Sequence, residues 1–259
     1  MARTCIFCGD RAGSKEHLFP RWLNKLFPLD KAVRPAPEWE MKQGSQEQII
    51  HGSWGAAEVA GVTTGHVCHE CNTGWMARLE GVSEPLLTPM IRGLPHRLTL
   101  DEQLTVATWT AKTVMVIETS SASAPEDRFT QQQCQIVRDE NRPPGLLRIF
   151  TAALQENRGT PMGYWTALVR ATPDRGQVVD IHFYTILIGN FVAQVVRPEP
   201  APPTYGALRT TSEPLSNEIP VFPPVENFHW PPARPFDRGA FEQYTRRGIT
   251  LPPEWAVDL

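Results

Sequence analysis

Two short cysteine pairs constrain this chain more than any other feature of its sequence. Cys5 and Cys8 form one C-x-x-C unit, and Cys68 and Cys71 form the other. Four thiolates from two such units are a common ligand set for a single tetrahedral zinc ion. Because the pairs lie far apart in sequence, one ion would cross-link two distant segments of the chain. Four protein ligands would leave that zinc no open position for catalysis, so its predicted role is structural.

The composition is that of a globular protein without a membrane segment. The chain has 259 residues, of which 41% are hydrophobic and 20% charged, enough for one large domain or two modest ones. The first residues lack the apolar run of a secretory signal, and the longest apolar stretch, 184–196, is too short to span a bilayer. We therefore expect a cytoplasmic location and no membrane partner. In a reducing compartment paired cysteines are more often metal ligands than disulfides, and the fifth, Cys134, is expected to be an incidental free thiol.

The charge balance argues mildly against a tight, non-specific nucleic-acid binder. The formal net charge is -3, and residues 1–98 carry 11 Lys+Arg against 10 Asp+Glu. A strongly basic surface is therefore absent, and any contact with nucleic acid would depend on bound metal or on a local cluster. The candidate cluster is Arg11, Lys15, Arg21 and Lys25.

Residues 1–82 are predicted to form one cysteine-bounded module. A short helix is expected after Pro20, where apolar residues recur at helical spacing. The polar segment 31–60, which is punctuated by Pro and Gly, predicts a loop or a loose hairpin insertion. Residues 60–67 predict a short strand that leads into the second cysteine pair, and residues 72–80 predict a helix.

Residues 99–259 are predicted to form an α+β domain with an antiparallel sheet. Thr99 and Glu102 have the spacing of a capping box, and an apolar, largely buried helix follows them. A second helix is expected near 129–139. Three strand-like runs come next, and the last is expected to break at Gly189 into a hairpin. The runs are 146–154, 163–171 and 178–196.

The last part of this domain has an unusual composition. Residues 198–235 contain 11 prolines, which predicts a strap packed over the domain without regular helix or sheet. A short helix is expected at 237–248. No catalytic motif stands out in the domain, and Lys112, three residues after Trp109, is interpreted as a lysine that snorkels from a packed helix.

Residues 5–80 resemble the HNH endonuclease family, which has the ββα-metal fold. The resemblance rests on Cys5-x-x-Cys8, on Glu16-His17 with Pro20 three residues on, and on Cys68-x-x-Cys71 followed by Asn72. It implies an endonuclease that hydrolyses DNA phosphodiester bonds with one divalent ion, Mg²⁺ or Mn²⁺, in addition to the structural zinc. The fold it implies is a zinc-stapled ββα-metal module in front of the α+β domain.

The resemblance also implies roles for particular residues. Glu16 would be a ligand of the catalytic metal, His17 the general base that activates water, and Asn72 the residue that orients His17. A neutral imidazole takes a proton from water near neutral pH, which suits that role. The family often has His or Asn as its last metal ligand. The helix here offers Glu80, eight residues after Asn72 and on a similar face, and a carboxylate suits Mg²⁺ or Mn²⁺.

Several alternatives stay open at this point. Arg21 and Arg78 are candidates for binding the substrate phosphate, and a solvated helix face explains them equally well. A solvated position on the helix explains Glu80 equally well. His66 and His69 are candidates for substitute ligands beside the cysteines. Two rival functions also fit the sequence. One is an inactive module that binds nucleic acid or a protein partner, and the other is a ribonuclease. Substrate selection, inhibition of the nuclease and assembly into a homodimer are all compatible roles for the second domain.

Overall fold

The computed structural model describes nine stretches of the chain. They are 3–27, 38–41, 49–53, 63–119, 129–155, 162–171, 179–199, 217–224 and 226–247. Helices and antiparallel strands share these residues, which confirms the predicted α+β class. Residues 60–62 of the predicted strand, residues 200–216 of the proline-rich segment and position 248 lie outside the described residues. No helix in the nine stretches is long and apolar enough to cross a bilayer.

The first elements are short. They are β1 (Glu16–His17), a 3-10 helix (Arg21–Lys25), β2 (Glu38–Met41), β3 (Ile49–Ser53) and β4 (Thr63–Thr64). Strands β1 and β4 pair antiparallel, with Glu16 opposite Thr64. The helix predicted after Pro20 is confirmed, because the fixed φ of proline suits the position that precedes the first helical turn.

The second cysteine pair opens a long helix. Three stretches follow one another without a break, His69–Cys71, Asn72–Met76 and Ala77–Ile91, and we call them together α1. The helix predicted at 72–80 is therefore confirmed but longer than expected. Its second stretch is a wide turn that departs from helical geometry at Gly74, where φ is -91° and ψ is -107°. Helix α1 continues past residue 82, where the sequence pattern places the end of the first module.

A seven-stranded antiparallel sheet forms most of the remaining structure. The further strands of the fold are β5 (His96–Leu98), β6 (Arg148–Ala153), β7 (Met162–Ala171), β8 (Val179–Ile188), β9 (Phe191–Glu199), β10 (Glu218–Phe222) and β11 (Phe228–Trp230). The strand order of the large sheet is β10-β6-β9-β8-β7-β3-β2. The three predicted strand runs and the hairpin turn at Gly189 are confirmed.

Two strands from the segment between β1 and β4 belong to this sheet. Strands β2 and β3 pair as a hairpin, as one of the two alternatives for residues 31–60 predicts, and β3 also pairs with β7. The N-terminal module therefore contributes two strands to the sheet of the second domain. Long-range pairing of this kind links the two parts of the chain through backbone hydrogen bonds.

The prediction that residues 198–235 hold no regular sheet is wrong. Strand β10 lies at one edge of the large sheet, and its register shifts between Pro220 and Phe222. A strand tolerates proline at the edge of a sheet or at a bulge, because the missing N–H there need not bond to a neighbouring strand. Strand β11 pairs with β5 and so fastens this segment to the residues that follow α1.

Three more helices complete the fold. They are α2 (Leu100–Glu118), α3 (Gln131–Glu140) and α4 (Arg238–Arg247), and all three are predicted by the sequence. Thr99 and Glu102 form the expected capping box at the start of α2. Helix α2 is buried from Val106 to Glu118, because α1 packs on one side of it and strands β9 and β10 on another.

The large sheet has a core on each face. Along β6 the even-numbered Ala152 packs with Leu187, Phe241 and Tyr244, while its neighbour Ala153 faces the core that contains α2. Successive side chains of a strand point to opposite faces, so the alternation separates these two cores. Helix α4 covers one face, and α2 with the segment that carries the paired cysteines covers the other.

The hairpin turn between β8 and β9 docks on the end of α1. The backbone N–H of Asn190 donates to the carbonyl of Ile91 at 2.9 Å. Gly189, with φ +55°, leaves so little room that an added Cβ would lie 2.5 Å from that carbonyl oxygen. A side chain here is disfavoured both by the left-handed backbone and by the close contact.

We expect Gly189→Ala to lower the free energy of unfolding by about 2–4 kcal/mol, since it combines left-handed strain with overpacking. Urea denaturation of the variant and the wild type measures this difference. Gly81→Ala is the matched control, because nothing lies within 4 Å of a Cβ at this exposed helical position. It is expected to stabilise the protein by about 0.5–1 kcal/mol, and equal effects at the two sites would contradict the packing described above.

Candidate functional site

The four paired cysteines meet at one point. The Sγ atoms of Cys5, Cys8, Cys68 and Cys71 lie within 4.8 Å of one another, and those of Cys8 and Cys68 are 3.5 Å apart. Four sulfur ligands around one zinc, with bonds of about 2.3 Å, are separated by about 3.8 Å from each other. The observed spacing therefore fits a tetrahedral metal ion, and this cluster can hold one.

Local backbone geometry presents the sulfur atoms of both pairs. In the first pair the N–H of Gly9 donates to the carbonyl of Cys5 at 2.9 Å, and Gly9 has φ +83°. This tight turn requires a residue that tolerates positive φ. In the second pair Cys68 is the N-cap of α1, and its Sγ accepts from the N–H of Cys71 at 3.4 Å. Each pair therefore points its sulfur atoms inward without long loops.

The two cysteine segments are also joined by backbone hydrogen bonds. The N–H of Ile6 donates to the carbonyl of His66 at 3.1 Å, and the N–H of Ser14 donates to that of Val67 at 3.0 Å. Asn72 extends this connection, because its Nδ2 donates to the hydroxyl of Ser14 at 3.1 Å. Asn72 thus lies against the loop that leads into β1, and its partner Ser14 is three residues before His17.

Burial opposes the ionisation of two thiols in the cluster, whereas at Cys5 hydrogen bonds from the backbone outweigh burial and lower the pKa. Burial raises the pKa of the Cys71 thiol to about 11, and burial also raises the pKa of Cys8. Contacts between uncharged thiols packed this closely would contribute little stability, whereas a bound metal ion strongly favours the thiolate form. Cys134 lies in α3, is buried and forms no disulfide, as the expectation of a free thiol states.

Adjacent residues of β1 face opposite sides. Glu16 is only 6% exposed and points toward the protein interior, whereas His17 is partly exposed. This is the alternation that an extended backbone imposes. Pairing of β1 with β4 holds both residues in place beside the start of α1.

The charges of Lys112 and Glu80 both act on Glu16. The ammonium of Lys112 is 2.9 Å from Oε1 of Glu80, and the Lys112 side chain is fully buried. Burial raises the pKa of Glu16 to about 7, with Lys112 opposing the rise and Glu80 adding to it. The two carboxylates predicted as metal ligands are therefore electrostatic neighbours, and a lysine stands beside them.

The pKa of Glu16 predicts a pH-dependent stability. A carboxyl whose pKa rises from 4.5 unfolded to about 7 folded stabilises the fold at low pH, and this contribution is lost as the pH rises through 7. Lys112 and Glu80 are the charged groups that act on it. Between pH 5.5 and 8, without added divalent metal, wild type should lose about 2 kcal/mol relative to Glu16→Gln. Urea denaturation of both proteins at each pH tests this, and a constant difference would contradict it.

His17 has a direct partner on the 3-10 helix. Nε of Arg21 donates to Nε2 of His17 at 2.5 Å, an i,i+4 contact on the protein surface. Because a guanidinium only donates, Nε2 of His17 acts as the acceptor in this contact. Arg21, predicted as a phosphate ligand, therefore lies within reach of the predicted base.

The other predicted site residues are not part of this group. Arg78 is exposed on α1, and His66 and His69 flank Cys68 in partly and fully exposed positions. Among the residues that the structure describes, the sulfur cluster is the one group of three or more potential metal ligands that converge. The histidines beside Cys68 do not belong to it.

Sequence reasoning misjudged Lys112. The interpretation of a snorkelling lysine is wrong, because its side chain has no exposed surface and its ammonium is paired with Glu80. A signal was present in the sequence: Lys112 is the one charged residue between Leu104 and Ile117, a stretch that otherwise holds only apolar residues and threonines. A buried lysine needs a charged partner, so such a position indicates an ion pair with another element.

Comparison of the chain with models of known protein families, with curated proteins and with solved structures finds no match in any of the three. The function of the chain must therefore be inferred from the arrangement of its side chains. The parts of this arrangement are the sulfur cluster, the pair formed by Glu16 and Glu80, and the contact between His17 and Arg21.

Proposed function

We propose that this protein is a metal-dependent endonuclease of the HNH type that hydrolyses phosphodiester bonds in DNA. The observation that carries the proposal is the electrostatic interaction of Glu80 with Glu16, which adjoins His17 on a strand that pairs with β4 just before α1. In this proposal β1, β4 and α1 would form a ββα-metal module into which β2 and β3 are inserted, and the four cysteines would join the residues before β1 to the start of α1. The proposal explains why an acid and a histidine adjoin each other on a two-residue strand.

In this proposal the four-cysteine cluster holds a structural zinc. Its four soft sulfur ligands, their spacing and their burial suit zinc in a closed tetrahedral site. The ion would join the residues before β1 to the start of α1. Its role is to keep His17 and Glu80 on one surface.

The carboxylates of Glu16 and Glu80 would hold a second, divalent ion. Two hard oxygen donors fit Mg²⁺ or Mn²⁺, which bind to few protein ligands and keep several water molecules. Glu80 is 23% exposed, so this pair is reachable from solvent. A divalent ion bound there would supply stabilisation of charge on the scissile phosphate and the leaving oxygen.

The remaining roles belong to residues on the same surface. His17 would accept the proton of the attacking water at Nε2. Arg21 occupies that atom in the present structure, and a phosphodiester is a stronger partner for its guanidinium than a neutral imidazole is. Substrate binding would therefore draw Arg21 to the phosphate and uncover the base. Asn72 would hold the loop before β1 through Ser14, and the exposed Arg78 remains a candidate phosphate ligand.

A cleavage assay tests this function. Purified protein with Mn²⁺ or Mg²⁺ should nick or linearise plasmid DNA and should lose this activity in excess EDTA added at the start of the reaction. A parallel digestion of RNA of similar length distinguishes a deoxyribonuclease from a ribonuclease. DNA that stays intact under all metal conditions, with zinc present in the protein, would overturn the proposal.

A second candidate function is an inactive module that binds nucleic acid or a protein partner. The observation that favours it is the ion pair between Lys112 and Glu80, which already neutralises one of the two carboxylates. A binding module needs no second metal ion. Gel-shift titration of DNA without divalent metal, alongside the cleavage assay, separates the two, because binding without cleavage supports this alternative.

A further inference from the structure

Lys112 reaches the carboxylate pair from outside the zinc-binding module. It lies on α2, in the second part of the chain, and its side chain has no exposed surface. Its ammonium is 2.9 Å from Oε1 of Glu80, and both residues act on the charge of Glu16. Helix α2 is held in register by Thr119, whose hydroxyl lies 2.8 Å from that of Thr64 in β4, and by Tyr164, which donates to Glu118 at 2.5 Å.

We propose that Lys112 is a built-in cation of the Glu16–Glu80 pair and weakens its affinity for divalent metal. Any cation held by the Glu80 carboxylate lies beside this ammonium. Like charges that close, in a site with little solvent around the lysine, repel strongly. The inference rests on the proposed function in one respect, the assignment of Glu16 and Glu80 as the pair that takes the divalent ion.

Burial decides between this role and direct contact with substrate. Lys112 is fully buried, whereas the Glu80 side chain is 23% exposed, so Glu80 lies between the ammonium and solvent. A phosphodiester approaching from solvent would meet Glu80 and the surface arginines before it met Lys112. Lys112 therefore acts through Glu80 as a positioning residue rather than as a phosphate ligand.

The consequence is a role for the second part of the chain. Two carboxylates alone carry a charge of -2, and with Lys112 the group carries -1, so the site attracts a divalent cation less strongly. Because Lys112 is supplied by α2, the packing of α2 against α1 sets the metal affinity of a site whose carboxylates lie elsewhere. The position of this one helix thus controls how readily the site fills.

The test is the Mn²⁺ dissociation constant, measured by electron paramagnetic resonance of free Mn²⁺ at pH 8.5, above the pKa of about 7 of Glu16. Lys112→Met, which keeps the length of the side chain without its charge, is expected to tighten Mn²⁺ binding about tenfold or more. Lys112→Arg keeps the charge and should bind Mn²⁺ as weakly as wild type does. Lys112→Gln, which retains a donor for Glu80, is the second neutral variant if the methionine protein does not fold.

Lys25→Met is the matched control. Lys25 pairs with Glu84 at 3.4 Å, four residues after Glu80 on the same helix, but this pair is exposed. Its loss should change the Mn²⁺ dissociation constant less than twofold. Mn²⁺ binding by the neutral Lys112 variants that is unchanged, weaker or absent would overturn the inference. Tight binding by those variants without any DNA cleavage would support it while the nuclease proposal fails, so the two outcomes are distinguishable.

Discussion

Cys68→Ser is expected to lose the zinc ion proposed for the sulfur cluster and, with it, the cooperative folding of residues around β1 and the start of α1. The wild type should contain about one zinc per chain, because four thiolates at this spacing bind one ion. The variant should contain much less, since removing one ligand opens the tetrahedron. Metal binding free energy contributes directly to folding in such a module, so the loss should amount to several kcal/mol.

Serine at this position separates the two roles of Cys68. The cysteine caps α1 through its Sγ, and a serine hydroxyl is at least as good an N-cap. A large loss of stability therefore reports on the metal and not on the helix cap. The effect should also reach α3, because the side-chain amide of Gln131 lies against the turn at Gly9.

Elemental analysis and thermal or urea unfolding measure this prediction. Cys134→Ser is the control: Cys134 is buried in α3 but stands outside the sulfur cluster, so the variant should keep its zinc. Wild-type protein that folds without metal, together with an equally stable Cys68→Ser protein, would show that the cluster is not a metal site.

His17→Ala is expected to slow DNA cleavage by about 10²–10⁴-fold, the usual contribution of a positioned general base. The reason is geometric. His17 presents an imidazole on the face of β1 opposite Glu16, and its Nε2 accepts a hydrogen bond from Arg21. Without it no other described histidine is placed to accept the proton from water, since His66 and His69 lie beside Cys68.

Single-turnover cleavage of an end-labelled duplex at saturating Mn²⁺ isolates the chemical step. His69→Ala is the matched control, because His69 is an exposed histidine of the same module, and it should cleave at nearly the wild-type rate. Zinc content must be equal in all three proteins. Equal rates for His17→Ala and wild type would remove His17 from the mechanism.

Much of the local structure follows from the sequence because its causes are local. The capping box at Thr99, the break at Gly189 and the alternating strands each depend on neighbouring residues, and each is confirmed. The proline-rich segment is the exception. Its strands β10 and β11 form because the large sheet offers an open edge and β5 offers a partner, which composition alone does not reveal.

The candidate site likewise has residues that the sequence indicates and contacts that only the folded chain reveals. Spacing alone indicates the four metal-binding cysteines, because C-x-x-C pairs carry a geometry that is independent of the rest of the fold. The roles of His17, Asn72 and Glu80 remain predictions. Their neighbours Ser14 and Arg21 become visible only when the backbone is folded, since side-chain hydrogen bonds depend on distances and not on sequence spacing.

By itself, the sequence determined the α+β class, the sulfur cluster and most helices and strands, because spacing, capping and periodicity act over a few residues. Only the tertiary structure decided that β2 and β3 complete the sheet of the second domain and that Lys112 lies against Glu80. Those contacts join residues far apart in the chain. The ion pair forms because α1 packs on α2, and a buried charge then takes the nearest opposite charge that the packing supplies.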